Sequence, residues 1–205
     1  MNERNSGAEI QRLSALSDGI FSVAMTLLAF NVHLPDSSAS ERLSQELARM
    51  FGEAGGLVVS FCIAAMFWMS HLRLFGFLQK VDIGFRLLNF ALLLSIVVLP
   101  ISTSLETSFG RSPIASFVLE GNLTLISLAN ASLWLYALGR RMLALPSPGL
   151  RGVWLQLVAV IFPVLVFALS LLIMVWKPTL GPRLSVCAFA TPLISHLAGR
   201  AFGAN

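Results

Sequence analysis

The sequence predicts an all-α membrane protein with six transmembrane helices per subunit. Three observations carry that prediction: the composition, the lengths of the apolar runs, and the placement of the basic residues. Of 205 residues, 56% are hydrophobic and 12% are charged, with a mean hydropathy of +0.80. A soluble domain carries about 25% charged residues because water covers most of its surface. This chain has too few charges to be covered in that way. A bilayer core of about 30 Å needs about 20 apolar residues per helix. Runs of that kind fall near residues 13–34, 55–78, 83–105, 113–138, 153–176 and 183–202. The predicted organisation is one six-helix domain over residues 1–205.

The breaks between the runs carry turn and breaker residues: Pro35 and Asp36, Lys80 to Asp82, Arg111 to Pro113, Pro146 to Gly149, and Lys177 to Pro182. Asp18 lies inside the first run, and no small-residue cleavage site ends a short apolar core. The segment is therefore read as a span and not as a signal peptide. The long connection between the first two runs contains Glu41 to Phe51, with Leu43, Leu47 and Met50 at helical spacing. It is expected to form a short interfacial or partner-packing helix.

The formal charge of +4 and the basic isoelectric point do not indicate a nucleic-acid partner, because the 14 Lys and Arg are spread between apolar runs. They orient the chain instead. With a cytoplasmic N-terminus, nine basic residues lie inside: Arg4, Arg12, Arg73, Lys80, Arg86, Arg140, Arg141, Arg151 and Arg200. Five lie outside: Arg42, Arg49, Arg111, Lys177 and Arg183. The expected product is a multi-pass cell-membrane protein with both termini cytoplasmic. Cys62 and Cys187 both fall in apolar runs and are expected to be buried thiols. No spacing suggests a metal site, and none of the sequence signatures of a membrane enzyme occurs. Trp134, Tyr136, Trp154 and Trp176, near segment ends, are expected to act as interfacial anchors.

A charged side chain inside a span costs about 2.5 to 3.5 kcal/mol on insertion scales, so each needs a partner or a watery path. Asp18 lies six residues past Arg12, His71 nine before Lys80, and Asn89 seven past Asp82. At about 1.5 Å per residue, all three reach roughly 10 Å inside the cytoplasmic edge. They can form a hydrogen-bonded cluster that fixes helix packing, or a proton relay or ion ligand. Glu120, Asn122 and Asn130 are polar positions in the fourth run, expected to face protein or an outer vestibule.

Along the first helix, Leu16, Ile20, Val23, Leu27, Phe30 and Leu34 form one apolar stripe. Ala15, Gly19, Ser22, Thr26 and Ala29, ending at His33, form a stripe of small or hydroxylated residues beside it. Periodicity alone leaves open whether the apolar stripe faces lipid or a shared axis.

The run from Arg12 through Ser17-Asp18-Gly19 to Thr26-Leu27-Leu28, closing at Pro35, resembles the first-helix signature of the transmembrane protein 175 family of lysosomal-type potassium channels. Phe67-Trp68, His71, Arg73-Leu74-Phe75, Asp82, Leu88-Asn89 and Leu99-Pro100 agree in the next two runs. The resemblance implies a cation channel in which first helices from a homotetramer line the pore. It implies a constriction at Val23, Leu27 and Phe30, with pore hydroxyls from Ser22 and Thr26. It turns Asp18 into its own subunit, and the cluster becomes a structural network of Arg12, Ser17, Asp18, Trp68, His71 and Asn89. Leu16 stands where the signature has Phe, and Val23 where the family has isoleucine, one methylene less per subunit.

The Ser-Asp-Gly motif occurs once, which implies a bacterial single-repeat subunit. No Thr-Val-Gly-Tyr-Gly loop is present to replace hydration water with carbonyls. The function implied is passive potassium conduction through an apolar neck, with permeant K+, no cofactor, and no nucleic-acid partner. The alternative is a proton- or ion-coupled secondary transporter using Asp18 and His71.

Overall fold

The computed structural model describes residues 3–32, 43–109, 112–143, 150–177 and 180, with 184, 185, 187, 188 and 191. Five helices account for nearly all of it: α1 (Glu3–Leu27), α2 (Leu43–Phe77), α3 (Ile83–Phe109), α4 (Pro113–Gly139) and α5 (Leu150–Trp176). A 3-10 turn, Leu28–Asn31, continues α1. All five helices are long and apolar enough to cross a membrane. The sixth expected span, near 183–202, lies almost wholly outside the described residues.

Two boundaries differ from expectation. The stretch Leu43 to Phe51 is the first part of a continuous 35-residue α2 and not a separate short helix. No proline separates it from the span, and the glycines at 52, 55 and 56 do not remove a helix hydrogen bond. The α-helical part of the first span ends at Leu27, where the chain tightens into the 3-10 turn.

The core is built from the inward faces of α1 to α4 with part of α5, including Phe21, Phe67, Phe85, Ile96, Trp134 and Phe167. α5 leaves Trp154, Val158, Leu165, Leu169, Leu172 and Trp176 exposed along one side, which suits contact with lipid. Trp134 is not an interfacial anchor. It is 1% exposed, and its indole N–H donates to Ser70 Oγ at 3.2 Å. Cys62 and Cys187 are exposed free thiols and not buried ones. An apolar run says that a helix avoids water, not that each of its faces meets protein.

The α2–α3 turn is held by a clasp. Asp82 caps α3 by accepting from the Phe85 N–H at 2.9 Å, and the Tyr136 hydroxyl from α4 donates to both carboxylate oxygens at 3.0 and 3.2 Å. Arg140 adds an ion pair at 3.5 Å, and the Gln79 N–H donates to the Met142 carbonyl at 2.9 Å. Gly84 makes room for this arrangement, since a Cβ there would sit 2.8 Å from Tyr136 Cζ.

The Phe85 amide holds the Asp82 carboxyl below the usual carboxylate range against the opposing effect of burial, which ranks next, with Tyr136 and then Arg140 adding to the lowering. A depressed native value stabilises the fold above the unfolded value of about 3.9, and that contribution disappears as pH falls through the native value. Asp82→Ala is expected to cost about 1 kcal/mol at neutral pH through loss of the cap. Thermal unfolding in detergent should show a constant gap between the two proteins from about pH 7 to 5, closing below about pH 4.

Candidate functional site

α1 presents two different surfaces. Ser17, Phe21, Ala24 and Leu28, with Asn31 of the 3-10 turn, recur every three or four residues and are all buried in the chain's own bundle. The apolar stripe points elsewhere: Leu16 is 46% exposed, Val23 57%, Leu27 41% and Phe30 79%. Ile20 is half-buried, and Leu34 and His33 lie outside the described residues. The neighbouring stripe of Ala15, Gly19, Ser22, Thr26 and Ala29 is exposed as well. A groove of about 400 Å³ runs beside it, bounded by Gly19, Val23, Leu27 and Val97.

Ser22 Oγ donates to the Asp18 carbonyl and Thr26 Oγ1 to the Val23 carbonyl, each at 2.8 Å. Committing both hydroxyl protons to the helix backbone leaves the oxygen lone pairs outward. Such oxygens can approach a cation but cannot donate to it.

The buried face of α1 is held by two polar arms. In the first, Ser17 Oγ donates to the Leu13 carbonyl at 2.9 Å and accepts from Asn89 Nδ2 at 3.1 Å. Asn89 Oδ1 then meets His71 Nε2 at 2.9 Å. The directions follow from one another. The serine proton goes to the backbone, so the amide must donate to Ser17 and offer its oxygen to His71, which places the ring proton on Nε2. His71 Nδ1 has no hydrogen-bond partner among the described residues, and the ring is fully buried, stacked on Phe75 at 4.3 Å and tilted against Phe21 at 5.7 Å.

In the second arm, Trp68 Nε1 donates to Asp18 Oδ1 at 2.9 Å and Ser14 Oγ approaches Oδ2 at 3.5 Å. Asp18 therefore faces α2 of its own chain, and the structure gives it no hydrogen bond to His71. Arg12 is exposed and forms no hydrogen bond or ion pair with either arm among the described residues. Farther along, Asn31 Nδ2 donates to the Pro100 carbonyl at 3.2 Å and to Thr103 Oγ1 at 2.7 Å. That anchor was not singled out from the sequence, although an Asn one turn past the motif, with a proline-bearing partner helix, could have signalled it.

The polar residues of the second half face protein. Glu120, Asn122 and Asn130 are 3%, 6% and 2% exposed. Asn122 donates to Ser102 Oγ at 3.2 Å and Asn130 to Ser70 Oγ at 3.1 Å. Among the described residues, no three His, Cys, Asp or Glu side chains gather where they could hold a metal ion.

Residues 12–100, which contain both arms and the exposed stripe, match the family model described as the endosomal/lysosomal potassium channel TMEM175. Over that stretch the chain is similar to the TMEM175 family. A protein named a potassium channel from Streptomyces collinus is 28% identical over 123 residues, which are 60% of this chain and 60% of that protein. The match thus spans somewhat under two thirds of that relative's length. A protein named a potassium channel from Chamaesiphon minutus is 28% identical over 142 residues, 67% of this chain and 70% of that one. The human endosomal/lysosomal proton channel TMEM175 is 28% identical over 109 residues, 53% of this chain but 22% of its own length.

The crystal structure of a lysosomal potassium-selective channel TMEM175 homolog from Chamaesiphon minutus superposes with a TM-score of 0.80 at 23% identity. The superposition covers 92% of this chain and 98% of that one. The chain therefore shares the TMEM175 fold beyond the matched motif residues.

Asn89→Ala would leave both His71 Nε2 and the Ser17 hydroxyl buried with a partner removed. It should lower stability by about 2 kcal/mol. Arg12→Gln should change the thermal midpoint little, because Arg12 is outside both arms. Parallel melting of the two variants in detergent checks the contrast.

Proposed function

We propose that the chain is a six-span subunit of a homotetrameric, potassium-permeable cation channel in the cell membrane, with both termini cytoplasmic. The observation that carries this reading is the division of α1. One face is anchored by hydrogen bonds inside the subunit, while Leu16, Val23, Leu27 and Phe30 remain uncovered in a single copy. Four such ridges around a shared axis make a stack of apolar rings. Val23, Leu27 and Phe30 form the constriction, and Ser22 and Thr26 supply outward oxygens beside it. A narrow apolar neck breaks the water column, so it obstructs a hydrated ion until it widens.

Gly19 favours a second copy over lipid at this face. Among the described residues, a Cβ on Gly19 would meet nothing within 4 Å, so packing against them does not require its small size. The anchored polar arms serve in this reading as a structural network and not as a transport site. The names of the bacterial relatives, which are potassium channels, point in the same direction.

The test is electrical. Purified protein in planar bilayers should pass potassium down its gradient at channel rates without counter-ion exchange. Val23→Ala should raise single-channel conductance and weaken preference for potassium over sodium. Unchanged current in that variant would place Val23 outside the pathway. Saturable exchange that is lost in Asp18→Asn and insensitive to Val23→Ala would instead favour a coupled transporter.

A further inference from the structure

The clasp between the α2–α3 turn and the end of α4 carries more positive charge than the fold uses. Its charged side chains, Lys80, Asp82, Arg140 and Arg141, have a net charge of +2. Arg140 is engaged: it pairs with Asp82 at 3.5 Å, and its guanidinium lies 5.9 Å from the centre of the Tyr136 ring. On the first turn of α3, Arg86 is matched by Glu9 at 2.8 Å. Lys80 and Arg141 are exposed, and neither side chain makes an ion pair or hydrogen bond among the described residues.

The backbone holds these two cations near each other. The Gln79 N–H donates to the Met142 carbonyl at 2.9 Å, and Leu78 faces Leu143 in an antiparallel bridge. Lys80 directly follows one partner of that bond and Arg141 directly precedes the other, so their Cα atoms are at most about 14 Å apart. Both long side chains can converge on one anion from there. α4 closes in a Schellman turn, with the Arg141 N–H on the Leu138 carbonyl at 3.1 Å and the Met142 N–H on the Ala137 carbonyl at 2.9 Å. That turn needs a left-handed residue just after the cap, where glycine is the usual occupant. Arg141 takes the position with a φ of 51°, the one positive φ of a non-glycine residue among the described residues. Arg140 already offers the helix dipole a cation, so neither the turn nor the dipole accounts for an arginine at 141. The depth is informative as well. The apolar segments Ala54–Phe77 and Pro113–Gly139 end, and Ile83–Phe109 begins, within three residues of Lys80 or Arg141. Ile83 and Leu87 of α3 and Leu135 of α4 are exposed at the same end of the bundle. Lipid phosphates lie at that level, just outside the hydrocarbon core.

We propose that Lys80 and Arg141 form a site for the phosphate of an anionic phospholipid, whose acyl chains run along the exposed apolar side chains of α3 and α4. The Arg141 guanidinium matches two phosphate oxygens as a fork, and Lys80 adds a mobile point charge. The apolar residues at the same end favour a phospholipid over free phosphate, because they give its chains a surface. The surplus of positive charge favours an anionic headgroup over one that carries its own ammonium. Bound there, the lipid ties the α2–α3 turn to the end of α4 in parallel with the bonds of Asp82 and Tyr136. The inference does not depend on conduction along α1.

The test uses full-length protein in detergent at fixed ionic strength, with phosphatidylglycerol, phosphatidylcholine or inorganic phosphate added separately. Native mass spectrometry counts retained lipid, and thermal unfolding follows the midpoint. Phosphatidylglycerol should be retained at one saturable molecule per chain and should raise the midpoint through linkage, whereas the other two additives at the same concentration should not. Lys80→Gln and Arg141→Gly should each weaken retention about fivefold, and together more than tenfold. Arg141→Gly separates binding from folding, since glycine suits the left-handed turn: without lipid its midpoint should equal or exceed that of the native protein. Arg86→Gln, a basic residue outside the pair, should keep its retention. Equal retention of phosphatidylglycerol in the native protein and the double variant would overturn the assignment. So would an equal loss in Arg86→Gln, which marks a diffuse charge effect, or equal stabilisation by phosphatidylcholine or by inorganic phosphate.

Discussion

A fully buried imidazole sets the arrangement of this bundle. His71 must bond inside the protein, and among the described residues the group meeting its Nε2 is Asn89. Asn89 is in turn committed to Ser17. One residue each from α1, α2 and α3 is thereby tied at a single depth, with Trp68 and Asp18 forming a second tie between α1 and α2. These bonds determine the rotation of α1 about its own axis. Once Ser17 and Phe21 turn inward, the 3.6-residue period turns Leu16, Val23 and Leu27 outward. A change in the polar seam would therefore act on the exposed ridge without touching it.

How much of this was legible in the sequence varies with the kind of physics involved. Span number and position for the first five helices followed from the length of apolar runs, because bilayer thickness is a strong and local constraint. That His71 and Asn89 could reach one another followed from counting residues to flanking charges, whereas Asp18 joins a separate arm. The actual partners did not, since Trp68 rather than His71 bonds Asp18, and neighbours across helices depend on rotation angles that no spacing in one helix supplies. Arg12 sits in the motif by sequence but stands apart in space. Cys62 and Trp134 were misjudged for opposite reasons: hydropathy cannot distinguish lipid from protein as the surroundings of an apolar side chain, or an interfacial indole from one that bonds a buried serine.

The second half of the chain, which carries little motif information, has its own polar logic. Ser116, Glu120, Ser127, Asn130 and Trp134 lie along one buried face of α4. Their partners come from α2, from α3 and, through Ser185, from the segment beyond α5. In a membrane, hydrophobic contact does not separate correct from incorrect helix neighbours, since lipid is equally apolar. Small polar groups at matched depths can make that distinction. α4 acts as the post on which the rest of the subunit is registered.

The tightening of the chain after Leu27 has a geometric result of its own. In an α-helix, a residue three positions on is rotated about 60° away from alignment, whereas a 3-10 turn of three residues per revolution brings it directly into line. The turn Leu28–Asn31 therefore stacks Phe30 over Leu27, and the aromatic ring extends the same column of side chains. Rewinding that single turn would swing the ring sideways and shorten the column by about 1.5 Å, with the remainder of the bundle standing still. A short local exchange between two helical pitches would thus re-aim one aromatic side chain relative to Leu27.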